Sequence, residues 1–221
     1  MEGLALNLEL SKLTGRGRLL CLGAHSDDIE IGCGATILEL VERYPGLWVD
    51  WVVLCSDAER EAEAKSSAES FLHGCGGSAV TIKTFRDGYL PYTAVEVKEY
   101  FAQLGAELDP DLILTHYRGD LHQDHRFVGE LTLQTFRNHL TLEYEIPKYD
   151  GGLDAPNLYF PVTADAARKK TDLLIQHFGS QRSKSWFTRE TFDGLLRIRG
   201  IECKSESGLA EAFHSAKARV A

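Results

Sequence analysis

The stretch Arg18-Leu19-Leu20-Cys21-Leu22-Gly23-Ala24-His25-Ser26-Asp27-Asp28 runs an apolar segment straight into a cluster of ionisable groups. A short apolar run with a polar boundary reads as a buried strand, Arg18 to Ala24, of the kind that fills parallel sheets. The arrangement recurs where Leu112-Ile113-Leu114 precedes His122-Gln123-Asp124-His125. In an open parallel sheet, ligands bind at the carboxyl ends of the strands. Two such ends can bring imidazoles and carboxylates from separate elements onto one metal ion, which neither cluster could hold alone.

The flanking sequence supports this sheet. Gly32 to Arg43 reads as a helix, Trp48 to Leu54 as a β-branched and aromatic strand, and Glu59 to Leu72 as an Ala- and Glu-rich helix. A strand over Ala79 to Phe85, a helix over Thr93 to Leu108, a strand over Asp111 to Thr115 and a helix over Phe127 to Arg137 follow. This alternation predicts an α/β, Rossmann-like three-layer sandwich, a mostly parallel sheet flanked by helices. Beyond it the order is less regular. Strands are expected at Tyr144 to Tyr149 and Leu158 to Val162, and helices at Ala164 to Phe178 and about Thr188 to Arg199. The tail from Ser205 to Ala221 is expected to be helical or irregular. No linker divides the chain, so residues 1–221 are read as a single domain.

Composition narrows the function. A net charge of −9 argues against a nucleic-acid partner. No run of about 18 apolar residues would span a membrane. Met1 to Thr14 lacks the basic start and apolar core of a signal peptide. Five scattered cysteines with no CxxC pair read as buried small hydrophobes in a reducing compartment, and the cytoplasm is the expected location.

The two clusters suit hydrolysis. His25 and Asp28 are three residues apart, a spacing that brings two side chains together in a tight turn, while Asp27 points elsewhere. His122 and His125 repeat the spacing near a helix start; one can bind metal while the other stays close. Three protein ligands leave a coordination position for water, whose pKa falls toward roughly 7 on a catalytic metal. A neighbouring carboxylate can then take its proton. Two competing motifs are weak. Gly32-Cys33-Gly34 lacks the full dinucleotide-binding pattern, since position 37 is Ile, and these glycines read better as sites of close helix packing. No Gly-x-Ser-x-Gly elbow supports a serine triad.

The segment Ala24-His25-Ser26-Asp27-Asp28-Ile29-Glu30-Ile31-Gly32-Cys33-Gly34-Ala35-Thr36 resembles the signature of the PIG-L/LmbE-like deacetylases, usually Ala-His-Pro-Asp-Asp followed by a Gly-x-Gly-Gly-Thr turn. His122-Gln123-Asp124-His125, with Asp120 before it, is similar to the family's second motif, usually His-Pro-Asp-His. Weaker likeness extends to Arg60-Glu61-Ala62-Glu63, Phe85-Arg86-Asp87-Gly88 and His177-Phe178-Gly179-Ser180-Gln181. The resemblance implies a zinc ion, or another divalent metal such as iron, cobalt or manganese, held by His25, Asp28 and His125. It implies Asp27 as general base, His122 as oxyanion stabiliser or acid, and Asp124 orienting a histidine, His122 in the first instance. Arg60 and Asp87 match positions that hold sugar hydroxyls. Asp120 is a candidate to support the second motif, and His116 reads more simply as a packed histidine. The implied partner is a small N-acetylated sugar or conjugate, and relatives are often homo-oligomers. Ser26 and Gln123 replace prolines that would stiffen both loops, and Ala35 replaces a glycine. Region 144 to 162, with Lys148, Tyr149, Asp150 and Tyr159, is where specificity is expected. Alternatives are a metal hydrolase of another amide or ester, and a non-catalytic metal-binding protein.

Overall fold

Successive side chains of Arg18–Gly23 (β1) point to opposite faces of a sheet. Leu19 and Cys21 enter one apolar layer, Leu20 and Leu22 the other, and all four are fully buried. The computed structural model describes residues 17–217. Met1 to Thr14 and the end of the tail lie outside the described residues. Strand β1 pairs in parallel with Trp48–Cys55 (β2) and Leu112–His116 (β4). Parallel pairing continues from β2 to Gly77–Phe85 (β3) and from β4 to Leu140–Tyr144 (β5).

Two antiparallel strands complete the sheet. Leu158–Pro161 (β6) and Ala210–His214 (β7) give the order β3-β2-β1-β4-β5-β7-β6. The chain leaves β1 toward β2 on one side and reaches β4 on the other. That reversal opens a crevice at the carboxyl ends of β1 and β4. Helices Asp28–Arg43 (α1), Ala58–Phe71 (α2), Ala164–His177 (α5) and Arg189–Glu202 (α6) cover one face through Ile37, Phe71, Leu174 and Leu196. Ala94–Glu107 (α3) and Gln123–Thr135 (α4) cover the other through Phe101 and Val128. The result is the α/β three-layer arrangement expected from the alternation. Among the described residues no helix is long and apolar enough to cross a membrane.

Four elements depart most from the sequence expectation. Strand β5 occupies Leu140–Tyr144 rather than Tyr144 to Tyr149, because Leu140, Thr141 and Leu142 register against Leu112, Ile113 and Leu114, and Pro147 has no N–H for a ladder. Ala210–His214, expected to be helical or irregular, is a strand paired on both sides, with Phe213 opposite Tyr144 and Leu158. Helices α1 and α4 begin four residues earlier than the periodicity indicated, inside the two polar motifs.

Helix α1 is broken at Cys33 (φ −147°, ψ 19°), which frees backbone groups on both sides. Glu211 of β7 accepts from Ala35 N (3.0 Å) and Thr36 N (2.6 Å) at the start of the second half. Lys170 of α5 donates to Ile31 O (2.6 Å) and to Glu211 (2.6 Å), and both charged side chains are buried. The flanking glycines are close-packing positions, as their spacing suggested. A Cβ on Gly32 would lie 2.1 Å from the Tyr144 ring, and one on Gly34 2.7 Å from Phe71. Tyr144 in turn donates to Leu22 O (2.7 Å) and stands 3.3 Å from His116 Nε2.

Gly32→Ala is expected to cost about 1–3 kcal/mol by overpacking the Tyr144 ring, measured as a fall in chemical unfolding free energy. Lys170→Met strands Glu211 as a buried unpaired charge and is expected to cost about 3–5 kcal/mol in the same assay.

Candidate active site

The turn after β1 places His25, and the first turn of α1 places Asp28. The His25 amide donates to Asp28 Oδ2 (2.6 Å), closing the three-residue spacing. Across the crevice, α4 begins at Gln123 with His122 as its N-cap, whose Nδ1 accepts from Asp124 N (3.3 Å), and His125 lies on its first turn. The three residues expected to hold metal converge. His25 Nδ1 is 3.2 Å from Asp28 Oδ2 and 3.1 Å from His125 Nε2, and His125 Nε2 is 3.5 Å from Asp28 Oδ1. Donors on a tetrahedral zinc at normal bond lengths stand about 3.4 Å apart. Two imidazoles and a carboxylate with this spacing fit one divalent ion. Nitrogens of His25, His122 and His125 also gather within 4.8 Å of one another.

A second layer of groups orients the donors. His125 Nδ1 faces Asp120 Oδ2 (3.1 Å), and Lys148 Nζ grips that same oxygen (2.6 Å). His25 Nε2 faces Asp87 Oδ1 (3.0 Å) and Asp124 Oδ2 (3.4 Å). A ligating histidine characteristically gives its other nitrogen to a carboxylate, which fixes ring and tautomer. Buried Asp124 accepts from Gly88 N (2.7 Å) and Leu90 N (3.1 Å), and Gln123 donates to Gly88 O (2.6 Å). Its carboxylate therefore holds the loop after β3 and faces His25, whereas its link to His122 is through its backbone N–H.

The charges shift one another strongly. Burial would raise the Asp28 carboxyl, but His125, His116 and His25 hold it well below the usual range. Burial lowers His125 to about 3. Burial would lower His25, yet Asp28, Asp124 and Asp87 keep it well above its ordinary value. Asp27 is raised by burial and by Asp28, while Arg60, His25 and Lys184 pull it back. Arg60 bridges the two acids, with Nη2 3.1 Å from Asp27 Oδ1 and Nη1 3.3 Å from Asp87 Oδ2. Hydrogen bonding from His25 holds Asp87, which is exposed, at about 2.

Three neighbours had weaker sequence signals. His116, read as a packed histidine, is fully buried with Nε2 3.1 Å from Asp28 Oδ2 and its ring stacked on His125. Its position as the last residue of β4 is the signal that could have flagged it. Lys148, noted only for specificity, grips Asp120. Cys55 Sγ lies with His25 and Asp124, but burial pushes its thiol up to about 12, which keeps it protonated. None of the five cysteines is disulfide-bonded.

The profile of the PIG-L family, described as GlcNAc-PI de-N-acetylase, matches residues 20–136, the part of the chain that carries both motifs. The chain belongs to that deacetylase-type family. No curated protein matches the chain. Solved structures share the fold. The N,N'-diacetylchitobiose deacetylase of Pyrococcus horikoshii, complexed with its inhibitor, is 21% identical over 90% of this chain and 83% of its own, with a TM-score of 0.70. GalB, the 4-carboxy-2-hydroxymuconate hydratase of Pseudomonas putida, is 19% identical over 93% of this chain and 98% of its own, with a TM-score of 0.72. The A40926 pseudoaglycone deacetylase Dbv21 is 17% identical over 93% of this chain and the whole of its own, with a TM-score of 0.67.

Asp120→Asn keeps the shape of the Asp120 side chain but removes the charge behind His125. It is expected to weaken zinc binding about 10–100-fold in competition with a chromophoric chelator. An unchanged affinity would show that Asp120 does not set that ligand.

Proposed function

We propose that the chain is a metal-dependent deacetylase that removes the N-acetyl group from an amino sugar or its conjugate. The observation that carries this reading is the convergence of His25, Asp28 and His125 beside Asp27, a buried carboxylate that is not part of the donor set. Zinc suits that donor set best. Held by His25, Asp28 and His125, the ion would polarise the acyl oxygen and make water a stronger acid.

The remaining steps fall to side chains. Asp27 takes the proton of the attacking water as it adds to the acyl carbon, and its raised pKa suits it to a base that must later give that proton up. Arg60 fixes the carboxylate through Oδ1, which leaves Oδ2 to meet the water. His122 receives Asp124 N–H at Nδ1, so its own proton sits on Nε2 and can be donated to the developing oxyanion. Burial and His25 lower His122, which makes it a neutral hydrogen-bond donor in the resting site rather than a fixed cation. Collapse of the adduct breaks the C–N bond, and Asp27 returns its proton to the departing nitrogen. Asp87, at the rim beside Arg60, accepts hydrogen bonds from sugar hydroxyls.

Amine release from a panel of N-acetylated sugars by the zinc-loaded protein tests this reading, with Asp27→Ala in parallel. The expected result is turnover by the wild type and a fall of about 10²–10⁴-fold in the variant with zinc still bound. Silence across the panel from a fully loaded site would point instead to another acyl substrate or to a non-catalytic role.

A further inference from the structure

His25 presents its two nitrogens to two different sets of donors. Nδ1 faces Asp28 and His125, the set described above. Nε2, on the other side of the ring, stands 3.0 Å from Asp87 Oδ1 and 3.4 Å from Asp124 Oδ2. The His25 side chain is only 9% exposed, and neither contact has the alignment of a hydrogen bond. A buried nitrogen is thus aimed at two carboxylates that do not satisfy it. A third group completes the set. Cys55 Sγ, His25 and Asp124 bring their ligand atoms within 4.8 Å of one another, and all three residues are buried.

The sheet explains why a sulfur lies there. Strands β1, β2 and β3 run side by side, and their carboxyl ends supply His25, Cys55 and Asp87. Cys55 N donates to Ala24 O (2.8 Å), which sets the end of β2 against the turn that carries His25. Across the next pairing, Cys55 stands opposite Phe85, two residues before Asp87, after a register shift between Val53 and Cys55. Irregularities of this kind re-aim side chains beside functional sites. Cys33, Cys75 and Cys203 instead donate their thiol protons to backbone carbonyls of their own segments. Arg60 occupies Asp87 Oδ2 (3.3 Å), which leaves Oδ1 turned to His25. One imidazole nitrogen, two carboxylate oxygens and a sulfur are the donor types of a four-coordinate site, whose donors stand about 3.4 Å apart around zinc. Thiolate favours soft ions over hard ones. A neutral imidazole offers one nitrogen as donor at a time, because the other carries the proton.

Resting on the reading above for the first donor set, we propose that His25 Nε2, Cys55, Asp87 and Asp124 form a second metal site, which takes a thiophilic divalent ion such as cadmium and excludes an ion from His25, Asp28 and His125. On binding, the Cys55 thiol releases its proton to solvent and ligates as the thiolate. His25 keeps its one proton on Nδ1, which faces Asp28 Oδ2 at 3.2 Å. The first set is then left with Asp28 and His125, too few donors to retain its ion. His25 thereby selects between metals. Zinc, a borderline ion, keeps the two imidazoles of the first set, whereas the softer cadmium moves to the sulfur. Exposed Asp87 opens the second site to solvent and gives the ion its way in.

The test adds cadmium to the zinc-loaded full chain and follows two signals: near-ultraviolet thiolate-to-cadmium charge-transfer absorption, and zinc released into an ultrafiltrate. The wild type should develop the absorption and release zinc in step with it. Cys55→Ala, which retains Cys21, Cys33, Cys75 and Cys203, should lose the absorption. Cys55→Ser takes its place if circular dichroism shows the alanine variant unfolded. No absorption in the wild type would overturn the proposal, as would absorption that survives the change at Cys55 and so belongs to another thiol. Absorption without zinc release would overturn it as well, because His25 would not be withdrawn from the first set. Neither signal needs a substrate, so the two readings fail separately. Turnover of an N-acetylated sugar by a chain that gives no Cys55-dependent absorption would keep the deacetylase and end the second site. Absorption with zinc release, but without turnover of any sugar, would keep the second site and defeat the deacetylase.

Discussion

The break in α1 at Cys33 is held by a buried ion pair whose charges complement the two helix ends it creates. Glu211 sits at the amino end of the second half, where free N–H groups and the helix dipole favour an anion. Lys170 sits at the carboxyl end of the first half and bonds Ile31 O, where a cation is favoured. A buried pair in an apolar core barely repays its desolvation, but here each partner also satisfies backbone groups that the break would leave bare. The first half of α1, Asp28 to Gly32, is thereby oriented independently of the second. Asp28 can face His25 and His125, while Gly32 lies flat on Tyr144. Tyr144 then reaches Leu22 O and His116, and His116 reaches Asp28.

The site shows the same economy of shared contacts. Each imidazole of the donor set has one nitrogen in the crevice and the other on a carboxylate: Asp120 behind His125, Asp87 and Asp124 behind His25. Asp124 also ties down Gly88 and Leu90, so the loop that carries Asp87 is fixed by the motif across the crevice. Five aspartates surround the site, and Arg60 and Lys148 answer only part of their charge. Such an excess of carboxylate in a buried crevice is an electrostatic preference for a divalent cation.

The first half of the chain was legible because β1, β2 and β4 are short, mostly apolar runs. Both polar motifs fell at strand ends as expected, and Arg60 and Asp87 meet there although 27 residues separate them. The second half was harder to read for physical reasons. Leu140 to Ile146 alternates without interruption, so pattern alone does not say where β5 stops; pairing with β4 decides it. Ala210 to His214 is five residues long and holds a glutamate that faces the core, a position only Lys170 and two backbone amides make tolerable. Helices α1 and α4 start inside motifs whose charged residues read as loop. The partners of Asp124 could not be read from its place between two histidines, because they come from the loop after β3.

The Glu211–Ala35 hydrogen bond joins residues 176 apart in sequence. During synthesis, β1, the donors of both motifs and the strands that carry them emerge well before the strand that completes α1. Until Glu211 arrives, the break at Cys33 has no anion to hold it and Lys170 has no counter-charge. Contacts so distant close late and slowly, after the local helices and the parallel strands have formed. The convergence of His25, Asp28 and His125 is therefore a product of finished folding, and a nascent chain that stalls before β7 would carry the aspartates of the site without their arrangement.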